Sequence, residues 1–206
     1  MRAIRTAALR VRAYYDFAST LCYVAHRVLA DMQPELESLG IELVWTPLDL
    51  SNLCGWPRRA PIAPERLANA ERVASEHDVR VSPLRVWPDS RAANALALVL
   101  AGEPREAALR ERVFSGVFEE RRELDAPGVV EGFARDVGVS FDPRRIERAL
   151  DELEFRTRIA AEEDVTGAPT MMLDDFPFGG IQSRETTYLV LERWVRRRHA
   201  GATLRG

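Results

Sequence analysis

The chain has 206 residues, 46% of them hydrophobic, which is enough to bury one sizeable core and excludes a disordered chain. All 29 cationic residues are arginine, so neither a Schiff-base lysine nor a phosphate-loop lysine exists, and a formal net charge of −3 offers no overall field for nucleic acid. Two cysteines are too few for a secreted disulfide framework, the N-terminus lacks an unbroken apolar run of signal-peptide length, and no segment reads as a membrane span, so a cytoplasmic protein is expected.

In chain order, "ALRVRAYYDF" (8–17) and "GIELVWTPL" (40–48) have the alternating, β-branched and aromatic character of strands. Between them Leu21, Ala25, Val28, Leu29, Met32, Leu36 and Leu39 keep helical spacing, which completes a βαβ unit. Residues 63–163 carry helical punctuation and no convincing strand, and four or five helices are predicted there. Pro64, Pro104 and Pro143 suit first helical turns, Asp89 or Ser90, Asp125 and Asp142 suit N-caps, and Gly102 and Gly138 suit C-caps. "PTMMLDDFPFGG" (169–180) sets two short apolar runs around Asp174 and Asp175, the pattern of a β-hairpin, and a helix follows from about Arg184 to Arg198. The arginines of "RWVRRRHAGATLR" read as a solvated helix end, where they also suit the helix dipole. Neither end of the chain holds enough secondary structure to fold alone. One α/β domain assembled from 8–62 and 164–200, with an all-helical insertion at 63–163, is the predicted organisation.

Three stretches carry a likeness that spans nearly the whole chain: "DFASTLCY" at the first strand-to-helix turn, "VTGAPTMML" entering the third strand, and "FGGIQSRETTYLVL" leading into the last helix. In this order they resemble the DsbA family of thioredoxin-fold proteins, including its FrnE-like members and the branch of 2-hydroxychromene-2-carboxylate isomerases and kappa-class glutathione transferases. The resemblance implies a DsbA-like thioredoxin fold, β-α-β then β-β-α, with the helical block between the halves.

The family usually writes the first stretch as Asp-Phe-x-Cys-Pro-x-Cys. By resemblance Ser19 stands at the first cysteine position, Thr20 at the proline and Cys22 at the second cysteine. A serine cannot form a disulfide, which excludes two-cysteine dithiol oxidase chemistry within the motif. At a helix N-terminus its hydroxyl can still hold a thiolate brought by another molecule. The isomerase and transferase branches place a serine there to hold the sulfur of glutathione, which implies the same for Ser19. Serine is also among the best N-caps, and both roles need this one location. Cys22 lies one turn into the helix on the face of Ala25 and Leu29. It is expected to be an inward-facing thiol with a raised pKa, a poor primary nucleophile unless the helix start opens.

Cys54, in "LSNLCGWPRR", reads as a loop cysteine after the second strand. The resemblance puts that loop, with Asn52 and Trp56, at the rim of the site, and whether Cys54 meets Cys22 stays open. By resemblance Pro169 is the cis-proline facing the turn, with the backbone of Ala168 directed to the cleft, where a peptide or glutathione pairs as an added strand. An ordinary trans proline opening a strand is the alternative. Gly180 permits close backbone approach, and Gln182, Ser183 and the helix N-terminus after them suit a carboxylate such as a γ-glutamyl group. The Phe-Gly-x-Asp-Arg segment of the glutathione transferases is not reproduced, because its aspartate is missing.

His26, His77 and His199 share no ligand spacing with the cysteines, so no metal site is expected, and no nucleotide loop occurs. Trp56, Trp87, Phe114 and Phe118 are candidates either for core packing or for a hydrophobic substrate pocket. Together these readings imply a thiol-dependent oxidoreductase of the DsbA family, atypical in carrying STLC for CxxC, with glutathione or another small thiol as cofactor. Ser19 and Cys22 are its expected catalytic residues, and Ala168, Pro169, Gly180, Gln182 and Ser183 its expected thiol-binding residues. The alternatives are a glutathione-dependent isomerase or transferase acting on a hydrophobic substrate, and a non-catalytic module that binds a thiol or peptide. The expected partners are a small thiol and a hydrophobic small molecule or peptide, without nucleic acid or membrane. Related proteins are often dimers, so a homodimer is among the expected forms.

Overall fold

The computed structural model describes residues 8–203. The first residues of the N-terminal stretch and the end of the arginine-rich tail lie outside them. β1 (Leu9–Tyr15) and β2 (Ile41–Pro47) pair in parallel, with Leu9 opposite Ile41, and are joined by α1 (Thr20–Asp31) and α2 (Gln33–Ser38). β3 (Thr170–Leu173) runs antiparallel to the other edge of β1, and β4 (Phe176–Gly179) antiparallel to β3, giving the sheet order β2-β1-β3-β4. A two-residue turn joins the last two strands, with Asp174 at φ 58°, a left-handed position that aspartate tolerates. Between the two halves run α3 (Leu50–Cys54), α4 (Pro64–Glu76), α5 (Arg91–Val99), α6 (Glu106–Phe118), α7 (Val129–Asp136) and α8 (Pro143–Glu162), and α9 (Arg184–Thr203) follows the hairpin. The predicted order of βαβ, helices and ββα is the observed order, with five helices inside 63–163. Among the described residues no helix is long and apolar enough to cross a membrane.

Local chemistry corrects several details. The helix expected to continue to Leu39 stops at Met32, whose N–H closes onto Val28 and Ala30. Pro34 follows and has no N–H to continue the ladder, so α2 starts afresh with that proline in its first turn. Cys54 ends a short helix rather than lying in a loop. Asp49 caps α3 by accepting from the Asn52 N–H at 3.2 Å, and Gly55 closes it in the left-handed region. Asp142 caps α8 as expected, accepting from the Arg144 N–H at 2.9 Å, and Pro64 and Pro143 open α4 and α8. Asp125 caps nothing: Gly128 starts α7, and Asp125 pairs with Arg59 instead. Pro104 lies before Arg105, the N-cap of α6, and Gly102 lies beyond Leu100, the C-cap of α5.

α1 is wedged between two cores, which is why it is buried nearly all round. Its first turn contributes Cys22 and Tyr23 to a core shared with α5, α6 and α7, centred on Phe114, Phe118 and Phe133. Its far end contributes Leu29 to a second core with Val11 and Ala13 of β1, Met171 and Leu173 of β3, and Leu191 and Trp194 of α9. Val11, Ala13 and Tyr15 share one face of β1, and Tyr15, at its C-terminal end, reaches the helical block, while Tyr14 points to the other face and packs with Leu48, Ala160, Val165 and Met172.

A buried polar network joins the halves. Asp16 has no solvent exposure and accepts from the Ala18 and Leu50 N–H groups, each at 2.8 Å. Ser90 and Asn94, at the start of α5, hydrogen-bond the same carboxylate. Asn94 also accepts from the Phe17 N–H at 3.3 Å and donates to the Leu48 carbonyl at 2.8 Å. Ser90 occupies the N-cap position of α5, yet its hydroxyl is taken by this network, and Asp89 accepts from the Arg91 N–H. Asn94→Ala strips partners from Phe17, Leu48 and Ser90 at once. It is expected to lower the urea-unfolding free energy by about 2–3 kcal/mol, the cost of buried unsatisfied groups.

His26 sits in the seam between the cores, stacked on Phe114 at 5.2 Å and edge-on to Trp45 at 5.5 Å, with Nε2 2.8 Å from Glu111. Burial holds its pKa below the ordinary 6.5 against the pull of Glu111, and Arg110 and Arg27 add to the depression. The unfolded chain therefore binds a proton that the folded chain refuses. Stability should fall as pH drops below about 6.5, by less than about 1.4 kcal/mol per pH unit, and continue to fall down to the depressed folded pKa. Urea unfolding across that range should show this slope, and His26→Gln should remove it.

Candidate functional site

The turn "DFASTLC" leads from β1 into α1 and is shaped by its own side chains. Ser19 is extended in backbone and caps α1, its Oγ accepting from the Cys22 N–H at 3.2 Å. The first turn of α1 holds no acidic residue, and the N–H groups of Thr20 and Leu21 have no acceptor among the described residues. Thr20 is buried and Leu21 half-buried, so the positive end of this helix comes closest to solvent at Leu21.

Cys22 is inaccessible to solvent. Its sulfur accepts weakly from the Asp16 N–H at 3.5 Å and faces the Ser19 hydroxyl. Burial pushes its thiol up to about 12, against the stabilising pull of Ser19 and the Asp16 amide, and the Asp16 charge raises it further. Cys54 is half-buried at the end of α3, with Sγ 3.7 Å from the Thr166 carbonyl. Burial raises its thiol pKa too, opposed by Arg66. Both cysteines are free thiols.

The predicted site residues separate into two groups that meet at the Ala168-Pro169 peptide, which is cis. Ala168 packs with Leu53, Cys54 and Trp56 against a cluster formed by Ala18, Leu50 and Trp87. Pro169, Gly180 and Gln182 line a small pocket of about 30 Å³ along the other end of α1, beside Ala25, Leu29 and Thr187. Gly180 donates its N–H to the Pro169 carbonyl at 2.9 Å, extending the β3–β4 pairing by one step, and its φ of 79° favours glycine. Gln182 is exposed beside it. Ser183 is engaged within its own helix, where its Oγ accepts from the Thr186 N–H at 3.1 Å and donates to the Thr186 hydroxyl. Asn52 faces away from the Ala18 cluster, into a polar pocket with Asp49 and Arg58.

Of the four aromatic candidates, Phe114 and Phe118 are core. Trp56 and Trp87 meet edge to face at 4.8 Å and line a second pocket of about 250 Å³ with Pro57, Pro61 and Ile62. The Arg66 guanidinium lies 3.8 Å from the centre of the Trp56 ring. Trp87 is 8% exposed, and its indole N–H is buried without an acceptor. Sequence reasoning missed Asp16, Ser90 and Asn94 as the frame of the turn. The Asp-Phe pair before the motif and the capping pattern at Ser90 were the available signals, and neither reveals the pairing, which is set by packing across many residues.

Exposure should sort the two thiols. In the folded protein iodoacetamide is expected to modify Cys54 and leave Cys22 intact, the Cys54 rate rising with pH because its thiol titrates above the ordinary value. Cys22 should react only after unfolding, as peptide mapping of both samples will read.

Comparison with known proteins follows this geometry. The family model described as a DSBA-like thioredoxin domain matches residues 10–188. No curated protein matches by sequence. Among solved structures, a 2-hydroxychromene-2-carboxylate isomerase is 21% identical, with a TM-score of 0.70, over 95% of this chain and 99% of its own. A protein described as a probable DsbA oxidoreductase, from Streptomyces coelicolor, is 20% identical, with a TM-score of 0.70, over 90% and 89% of the two chains. The cytosolic disulfide reductase DsbM from Pseudomonas aeruginosa, solved with GSH, is 18% identical, with a TM-score of 0.55, over 95% and 100%. At these identities the likeness is one of fold. With the family model covering most of its length, the chain belongs to the DSBA-like thioredoxin domain family.

Proposed function

We propose that this protein is a thiol-dependent oxidoreductase that works with glutathione or another small thiol, whose sulfur is received as a thiolate at the N-terminus of α1 beside Ser19. The observation that carries this reading is the pair of amides of Thr20 and Leu21, left without protein acceptors at a helix end that has a serine cap and no acidic residue in its first turn. Such an end favours an anion. Glutathione supplies a nucleophilic sulfur when bound. The hydroxyl proton of Ser19 can turn toward that sulfur while its oxygen keeps the Cys22 N–H. Exposed Gln182, and the Trp87 indole N–H that lacks an acceptor, offer donors for the carboxylates and amides of the tripeptide. The two free thiols suit a reducing compartment, which supports a cytoplasmic setting.

A second reading, a glutathione-dependent isomerase or transferase, is favoured by the pocket between Trp56 and Trp87 beside Ala168. There a hydrophobic second substrate can lie close to the bound sulfur, and the same thiolate adds reversibly to it.

Calorimetric titration of the reduced protein with glutathione tests the shared premise. Saturable binding is expected, weakened about tenfold in Ser19→Ala, the loss of one hydrogen bond to a charged group. Binding that is absent, or indifferent to Ser19, overturns the proposal.

A further inference from the structure

We infer that Cys54 is the exchanging thiol of this site: it attacks a small-molecule disulfide whose departing thiolate is received at the N-terminus of α1 beside Ser19. The inference rests on the reading of that helix end given above and names the sulfur that completes it.

Of the two cysteines only Cys54 has access. Cys22 is fully buried behind the helix start, whereas Cys54 is half-buried at the end of α3. Its place matters more than its exposure. Cys54 packs, with Ala168, against the cluster of Ala18, Leu50 and Trp87. Ala18 precedes Ser19 and Ala168 precedes Pro169, so Cys54 stands where the two strand ends of the site converge. The Asp16 bond to the Leu50 N–H holds α3 against the β1–α1 turn and keeps it there.

An independent observation points to a ligand at the same cluster. Trp87 is 8% exposed, and its indole N–H has no acceptor among the described residues. A buried donor left unpaired costs about 1–3 kcal/mol, and a carboxylate or amide carbonyl of a bound molecule removes that cost. The ring of Trp87 borders the pocket with Trp56, and Arg66 over Trp56 supplies a cation for the same molecule. These features fit a peptide-like disulfide carrying carboxylates, of the glutathione disulfide class.

The step balances within that pair of reactants. The Cys54 thiolate attacks one sulfur of RS–SR, the S–S bond breaks, and a Cys54–S–SR bond forms. The electron pair leaves on RS⁻, which the Thr20 and Leu21 amides and the Ser19 hydroxyl stabilise until water protonates it. The disulfide is the oxidant, Cys54 is oxidised to the mixed disulfide, and the released sulfur is reduced. Attack by a second thiol of the same class reverses the step. Stabilising the leaving thiolate speeds exchange.

The test incubates the reduced protein with glutathione disulfide and follows intact mass over time, with peptide mapping. The expected result is a single glutathionyl adduct at Cys54, absent in Cys54→Ser and formed about tenfold more slowly in Ser19→Ala. Iodoacetamide, which reads only the exposure of Cys54, should react equally with wild type and Ser19→Ala. An adduct at Cys22, no adduct, or a Ser19→Ala rate that falls no further than the iodoacetamide rate overturns the inference. If glutathione binding depends on Ser19 while Cys54 stays unmodified, the inference falls and the reading of α1 stands. If glutathione neither binds nor adds, both fall.

Discussion

A carboxylate without solvent exposure must be held by protein donors, and the arrangement around Asp16 follows from that requirement. Its oxygens take N–H groups from the turn before α1 and from the start of α3, and side-chain bonds from Ser90 and Asn94 of the helical block. These bonds come from three segments distant in sequence from one another. The turn that presents Ser19, the short helix that presents Cys54, and the insertion are thereby fixed to one another through one side chain. Burial raises the pKa of Asp16, and the hydrogen bonds from Ser90, Ala18, Leu50 and Asn94 counter that desolvation without cancelling it.

The insertion is for this reason part of the site's frame. α5 closes over the end of β1, and the apolar core beneath it is continuous from Tyr15, Phe17 and Cys22 through to Phe114 and Phe133. The same continuity decides the fate of Cys22. A position one turn into a helix that is buried on both sides, near a buried carboxylate, leaves a thiol with little access and little tendency to ionise. The charge of Asp16 also opposes a second negative sulfur placed inside the turn. The amides of Thr20 and Leu21 at the helix start have no acceptor among the described residues.

The two cysteines therefore differ by environment and not by residue type. Cys22 behaves as a small apolar side chain, while Cys54 packs, with Ala168 and Trp56, against the cluster of Ala18, Leu50 and Trp87, within the electrostatic reach of Arg66. A site with serine in the first motif position can still handle sulfur chemistry if one sulfur enters as a ligand and another stands at the rim. That arrangement is consistent with family membership and with the loss of the motif's first cysteine.

The sequence by itself determined the element order, the helical block between the halves, the hairpin at Asp174-Asp175, the capping role of Ser19 and the inward direction of Cys22. All of these rest on local periodicity, caps and turn residues acting over a few positions. It also contained the start and stop of α3, in Asp49 and Gly55, although a segment of five residues is too short for periodicity to reveal. Only the tertiary structure decided that Asp16 is buried and bonded to α5, that Ser183 is spent on its own helix, and that Pro169 and Gly180 line a pocket while Ala168 and Cys54 pack against the cluster of Ala18, Leu50 and Trp87. Those outcomes depend on contacts between residues tens of positions apart, and hydrophobic pattern specifies that such residues are buried without specifying against what.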